Sequence, residues 1–237
     1  VIWLSYTILS AVAVAFCGIL SKKALFTTHS TSFAVTQKFF EILILLFFIP
    51  FIPFNYSFAT YLTIIFIALI GAFAYILDVK SFRHVEISVS APLSNITPIF
   101  VLFLAFIFLG ERLTYPQLIG VLILLSGTFM LEYKLFQKSF SLKSFFTQKY
   151  HLFLVISFLL YAITATIEKK LIVTVNPTSY LVLVWFFVFF FIGIYQMISF
   201  GTIPLRKTIK ENGFLIFASS AFAVFAGFMY LHALSLA

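Results

Sequence analysis

Long apolar runs set the terms for this chain. They lie near residues 1–21, 32–53, 58–78, 87–109, 115–133, 150–168, 178–200 and 213–236. A run of about twenty residues, rising 1.5 Å each as a helix, spans the hydrocarbon core of a bilayer. No water is available there to satisfy backbone groups, so a spanning segment is a helix or a strand of a closed barrel. Barrel strands are about ten residues long and alternate polar with apolar positions. The stretches "LILLFFIPFIPF" (43–54) and "FFVFFFIGIY" (186–195) do not alternate. The sequence therefore predicts an all-α membrane protein, a polytopic helical bundle of eight spans.

Charge placement supports this. Only 9% of residues are charged, against about 25% in soluble domains. Most of those charges cluster between the apolar runs, which excludes a soluble core. The net charge of +8 sits in loops beside the runs and forms no basic face, so it points to the lipid bilayer and not to nucleic acid. Cys17 is the single cysteine, and no intrachain disulfide can form.

The chain repeats itself. Residues 21–35, "SKKALFTTHSTSFAV", match 168–182, "EKKLIVTVNPTSYLV", at six positions with a shift of 147: Lys22, Lys23, Thr27, Thr31, Ser32 and Val35. Lys38-Phe39-Phe40 then aligns with Trp185-Phe186-Phe187. "FAYILDVKSF" (73–82) aligns with "FAGFMYLHAL" (225–234) at a shift of 152, and a longer loop before the last span accommodates the five additional residues. The expected organisation is a first repeat of five spans at 1–133, a linker at 134–149 and a second repeat of three spans at 150–237. A repeat with an odd number of spans re-enters the membrane from the opposite side. Inverted repeats of this kind build secondary transporters, with the site near mid-membrane. Lys22-Lys23 and Lys169-Lys170 end the opening helix of each repeat, either as snorkelling anchors or lining an entrance.

Several residues are expensive where they stand. Lys38 and Glu41 lie within the second span, three apart on one helical face, and can pair. A charge at mid-bilayer costs about 2.5–3.5 kcal/mol, so the pair is either a packing device or a coupling group. The fourth span reads "VSAPLSNITPIFVLF". Each proline removes an N–H and crowds the carbonyl four residues back, so Pro92 should disturb Ser88 and Pro98 should disturb Ser94. Together with Asn95 and Thr97 they form either a packing kink or a cavity wall, since irregular helix is tolerated at this depth away from lipid. Tyr161 and Thr164 share a face of the sixth span, which also carries Thr166 and Glu168. The first span carries Ser5, Tyr6 and Ser10. These hydroxyls fit helix packing or a cavity lining. Ser219, Ala223 and Gly227 form a small-residue ridge on the last span, and His232 lies near its end. Asp78, Lys80, Arg83, His84 and Glu86 read as a solvated turn after the third span, and Glu111-Arg112 as a loop before the fifth.

The run "PIFVLFLAFIFLGERLTYPQLIGVLILLSGTFML" (98–131) resembles the drug/metabolite transporter superfamily, specifically an EamA-type domain. The matching features are Pro98 in the fourth helix, Gly110-Glu111-Arg112 before a short turn, and Gly120 and Gly127 in the fifth helix. A lysine ending helix one fits Lys22 or Lys23, and a basic residue before Phe in helix two fits Lys38-Phe39. The resemblance covers nearly the whole chain as two copies. It implies ten helices around a central cavity and the movement of small metabolites, and it names no substrate.

The function expected is a secondary transporter of small organic metabolites working by alternating access, in a multi-pass protein of a bacterial cytoplasmic membrane. A lipid-linked flippase of the same fold is the alternative. A membrane-embedded lipid enzyme is a poorer reading, because no zinc motif or paired aspartates are present and Asp78 is the only Asp. The partners are then a small-molecule substrate and the bilayer, with no metal and no cofactor. No phosphate-binding glycine loop occurs, so a gradient supplies the energy, most simply protons acting at Glu41. The substrate candidates are Ser94, Asn95, Thr97, Pro98, Tyr161, Thr164 and Tyr6, and the coupling candidates are Lys38 and Glu41. Loops after spans one, three, five and seven hold eleven Lys and Arg residues, against three in the opposite loops. That count places the former in the cytoplasm, whereas the resemblance implies cytoplasmic termini. A cysteine at position 141, in a Cys17→Ser background, would report the side. The second repeat stops where the first is about to enter its fourth span, so a continuation of about 48 residues, two helices and a turn, is expected.

Overall fold

The computed structural model describes residues 2–110, 114–139, 148–203 and 205–236. Of Pro92, Leu109, Thr128, Phe129 and residues 131–139 it describes the backbone alone. The described residues form helices and no strand. In chain order they are α1 (Ile2–Leu25), α2 (Ser30–Leu46), α3 (Phe58–His84), α4 (Ile87–Leu93), α5 (Ile96–Leu104), α6 (Tyr115–Ser139), α7 (Lys149–Leu171), α8 (Pro177–Phe200) and α9 (Leu205–Leu236). Among the described residues six helical stretches are long and apolar enough to cross a membrane: α1, α3, residues 87–108, α7, α8 and α9. The protein is an all-helical, multi-pass integral membrane protein.

Burial in α1 runs opposite to that in a helix of a soluble protein. In α1 the buried residues include Ser10, Ala13, Ser21 and Ala24, while Ile8, Val12, Phe16 and Ile19 are exposed. Such an apolar surface would be untenable in water. In lipid it is the ordinary outer face, and small residues turn inward so that backbones approach. Ser10 Oγ accordingly donates to the carbonyl of Ala226 at 2.9 Å. Phe16 stacks on Phe222 with ring centroids 5.3 Å apart.

Two compact units are present. One comprises Val1–Ile76 and Ile167–Ala237, the other Leu77–Thr166. In the first, α1 packs along α9, and α2 lies against both α8 and α9. Its core joins Ala34, Val35 and Leu45 of α2 to Ile64, Ala68 and Ala72 of α3, Leu181, Val184 and Ile192 of α8, and Val224 and Leu231 of α9. In the second, Val85 and Leu93 pack with Leu154 and Phe158 of α7, and α4 lies against α6.

Aligned positions open aligned helices. Ser30 and Pro177 open α2 and α8, 147 residues apart. Phe58 and Leu205 open α3 and α9 at the same shift, whereas residues 73–82 and 225–234 within them align at a shift of 152. The five additional residues therefore lie inside α9 and not in the loop before it. They accompany a kink at Asn212, whose φ of −137° and ψ of 18° are not helical. Asn212 Nδ2 donates to Thr27 Oγ1 at 2.8 Å and to Thr28 Oγ1 at 2.7 Å. Part of the repeated polar stretch thus anchors a bend. In the matching stretch at 168–182, Asn176 caps α8, its side chain accepting from the backbone N–H groups of Thr178 and Ser179.

Other boundaries differ from expectation. The second span stops as an α-helix at Leu46 and passes into a 3₁₀ turn at Ile49–Phe51, because Pro50 has no N–H and crowds the carbonyl of Leu46. The third span does not end at residue 78. Nothing between Asp78 and His84 breaks a helix, and α3 carries Asp78, Lys80, Arg83 and His84 on it, leaving Glu86 in the turn. The fourth span is interrupted: α4 runs through Pro92, and the break falls at Ser94-Asn95. Pro98 cannot donate to Ser94, whose carbonyl accepts instead from Thr97 N–H at 3.0 Å. The helix after Leu104 widens into a π-turn at Ala105–Leu109 and ends on Gly110 at φ +67°, a left-handed conformation that glycine adopts without steric cost. The helix α6 extends to Ser139 and takes in residues 134–139 of the expected linker. Glu111, Arg112 and position 141 lie outside the described residues.

Candidate functional site

The first turns of α2 are buried on every side, from Ser30 through Lys38. The sequence that does this is polar, "STSFAVTQK", so each side chain needs a partner. Thr36 Oγ1 donates to the carbonyl of Ser32 at 2.8 Å, and His29 meets Thr31 across 3.0 Å. Lys38 cannot be satisfied by backbone alone. Its ammonium donates to Glu41 Oε2 at 2.6 Å, with both side chains buried.

Two rings complete the surroundings of that ammonium. Nζ stands 4.5 Å from the centroid of Tyr75 on α3 and 4.4 Å from that of Trp185 on α8. Both distances lie well within cation–π range. The neighbouring Gln37 extends the network. It accepts from the Tyr75 hydroxyl, its Nε2 donates to Cys17 Sγ at 3.8 Å, and its backbone carbonyl accepts from Ser220 Oγ at 3.1 Å. Side chains of α1, α2, α3, α8 and α9 therefore converge on one charged centre. Glu41 Oε1 is buried with no hydrogen-bond partner among the described residues. The centre buries an ion pair and keeps one carboxylate oxygen open to a donor.

Gly227 of α9 faces Leu181 and the Trp185 ring that covers the ammonium. A Cβ at Gly227 would stand 3.0 Å from Leu181 Cδ1 and 3.1 Å from Trp185 Cζ2, tight enough that these side chains must give by a few tenths of an ångström. Gly227→Ala is expected to turn the indole off Lys38. It should shift the tryptophan emission in a Trp3→Phe background and lower stability by about 1–3 kcal/mol, the usual cost of overpacking. Unchanged emission would show that the ring does not depend on this glycine.

The remaining expected site residues are distributed as follows. Ser94, Asn95, Thr97 and Pro98 share the break between α4 and α5. Ser94 and Pro98 are exposed, Asn95 and Thr97 half-buried, and Ser94 Oγ donates to the carbonyl of Ala91 at 2.6 Å. Tyr161 and Thr164 are half-buried on α7, with Thr164 Oγ1 donating to the Tyr161 carbonyl at 2.9 Å. All of these belong to the second unit. Tyr6, Lys38 and Glu41 belong to the first. Tyr6 meets His232 edge-on at 6.1 Å. Ser219 is fully buried, as a small-residue ridge requires.

Sequence reasoning missed two clusters and the cage. Asp78 is half-buried on α3 and hydrogen-bonded to Tyr161. Glu168 accepts from Tyr230, at 3.4 Å, and from Tyr180. Tyr75 and Trp185 also went unmarked. Trp185 carried one usable signal, since it occupies the position aligned with Lys38. Among the described residues no group of His, Cys, Asp and Glu could hold a metal ion.

No curated protein matches the chain in sequence. The sequence profile of the EamA-like transporter family matches residues 1–133, from α1 through most of α6. That stretch includes Lys38, Glu41, Tyr75 and the broken helix. Residues 1–133 are more than half of the 237, and the chain belongs to the EamA-like transporter family.

Proposed function

We propose that the chain is a secondary transporter of small organic metabolites, such as amino acids or drug-like solutes, working by alternating access in a bacterial cytoplasmic membrane. One observation carries this reading: a buried Lys38–Glu41 pair under two aromatic rings, with an open carboxylate oxygen. A charged pair inside an apolar bundle costs stability without improving packing, and such groups mark substrate or ion pathways.

The position of the pair supports the same reading. Lys38 and Trp185 occupy aligned positions of the two copies, 147 apart, and they touch. If residues 1–133 and 150–237 are repeats related by an axis in the membrane plane, a residue touches its own counterpart only near that axis. The axis of inverted repeats runs at mid-membrane, where substrate and coupling ions bind. The charge is present in one copy only, since Glu41 aligns with Val188.

Glu41 is the coupling group in this reading, and protons are the coupling ion. The groups facing it are Lys38 on its own helix and Cys17 on α1. Tyr75 of α3 and Trp185 of α8 close over Lys38. The test is uptake into proteoliposomes across a metabolite panel, with and without a pH gradient. Glu41→Gln keeps the shape of the side chain and removes its charge. It is expected to abolish gradient-driven uptake while leaving the protein folded. Gradient-driven uptake at the wild-type rate in Glu41→Gln would remove Glu41 from coupling.

A further inference from the structure

The surroundings of Lys38 are those of a bound ligand. A primary ammonium has three N–H donors and no acceptor. Here one donor goes to Glu41 Oε2 at 2.6 Å, and the charge rests on the faces of Tyr75 and Trp185 at 4.5 and 4.4 Å. None of these three partners recognises a lysine as such. They recognise an alkylammonium, and a carboxylate beside aromatic faces serves any such group of similar size.

We propose that Glu41, Tyr75 and Trp185 form an alkylammonium site whose occupant in this conformation is the chain's own Lys38, and that the transported substrate carries an alkylammonium group that takes its place. This rests on reading the Lys38–Glu41 centre as the transport site. Two features make the exchange physically reasonable. Lys38 is tethered by a flexible four-carbon stem, so its head can leave without moving α2. The buried Glu41 Oε1 has no partner among the described residues, so an arriving N–H donor finds an acceptor before Lys38 departs. During exchange the carboxylate holds two cations, one on each oxygen, and it is never left bare. The substrate is then an amine, either a free solute or the headgroup of an aminophospholipid. The two sources share this chemistry and differ only in what is attached.

The experiment uses full-length protein with Trp3→Phe, so that emission reports Trp185, in vesicles of phosphatidylglycerol alone. The probes are n-butylammonium, n-butanol and n-butanoate. Saturable quenching by n-butylammonium is expected, with none by the neutral or anionic probe, and it should vanish in Glu41→Gln. Lys38→Ala removes the tethered competitor and should tighten n-butylammonium binding by about tenfold or more, because an occupied site lowers apparent affinity by the fraction that is free. Doping the vesicles with phosphatidylethanolamine assigns the source. Quenching without added amine identifies the headgroup, and quenching only with n-butylammonium identifies the solute. Equal responses to n-butanol or n-butanoate, or no response in the wild-type cage, overturn the assignment. The wild-type measurement decides even if Lys38→Ala does not fold. If n-butylammonium binds and no metabolite moves, the cage stands and the transport reading fails. If Glu41-dependent uptake proceeds with substrates that lack an amine and n-butylammonium does not bind, the cage fails alone.

Discussion

Lys38→Met is expected to destabilise the protein by about 3–5 kcal/mol, the usual cost of removing one partner from a buried ion pair. Methionine matches the length of the lysine stem and leaves no void, so the loss is electrostatic. Glu41 is 0% exposed, and Lys38 is its hydrogen-bond partner. Without the ammonium its carboxylate is bare at a depth where water cannot reach it. The matched double substitution, Lys38→Met with Glu41→Leu, removes both charges and should regain most or all of the loss, since apolar replacements of buried pairs are often neutral or stabilising. Denaturation in mixed detergent micelles measures both variants. A single variant as stable as wild type would mean that Glu41 is already neutral or has another donor. Should the double variant be stable and unable to transport, the pair is retained for function and not for folding.

How much of this was legible in the sequence depends on which physical quantity each feature rests on. The helices follow from run length, because hydrocarbon forces the backbone to satisfy itself. The break before Pro98 follows from the missing N–H, whereas the same chemistry at Pro50 was hidden by an apolar run that continues to residue 53. The Lys38–Glu41 pair follows from spacing along one helix. The rings of Tyr75 and Trp185 do not, because they reach Lys38 across helices that are apolar nearly all round. In such helices periodicity does not mark the inner face; small residues do, as Ser10 and Ala13 of α1 show. The end of α3 differs from the sequence expectation for a related reason. Charges after Ile76 looked like a solvated turn, but a half-buried Asp78 with a tyrosine partner can stay in the helix. Asn212-Gly213 looked like the end of a loop. It is a kink within α9, held by side-chain bonds to Thr27 and Thr28 that no local pattern announces.

Glu168 shows the same limit at larger cost, and a second expected result follows from it. Its carboxylate accepts hydrogen bonds from Tyr180 of α8 and Tyr230 of α9, so one side chain at the end of α7 joins three helices. The two phenols are not equivalent. Tyr180 is 1% exposed, whereas Tyr230 is 40% exposed and can find other partners when its acceptor is removed. Glu168→Leu should therefore cost about 2–4 kcal/mol, combining the lost charge-assisted bond with the stranded hydroxyl of Tyr180. Glu168→Gln keeps an acceptor and should cost about 1 kcal/mol, near the value of one neutral hydrogen bond. Adding Tyr180→Phe to Glu168→Leu removes the stranded donor and should recover part of the loss, whereas Tyr230→Phe in the same background should change little. The double-mutant cycle isolates the coupling, since residues sharing one network depart from additivity by about 0.5–3 kcal/mol. If the Glu168→Leu and Tyr180→Phe losses simply add, the two side chains do not depend on each other, and the joint at the end of α7 is held by packing alone.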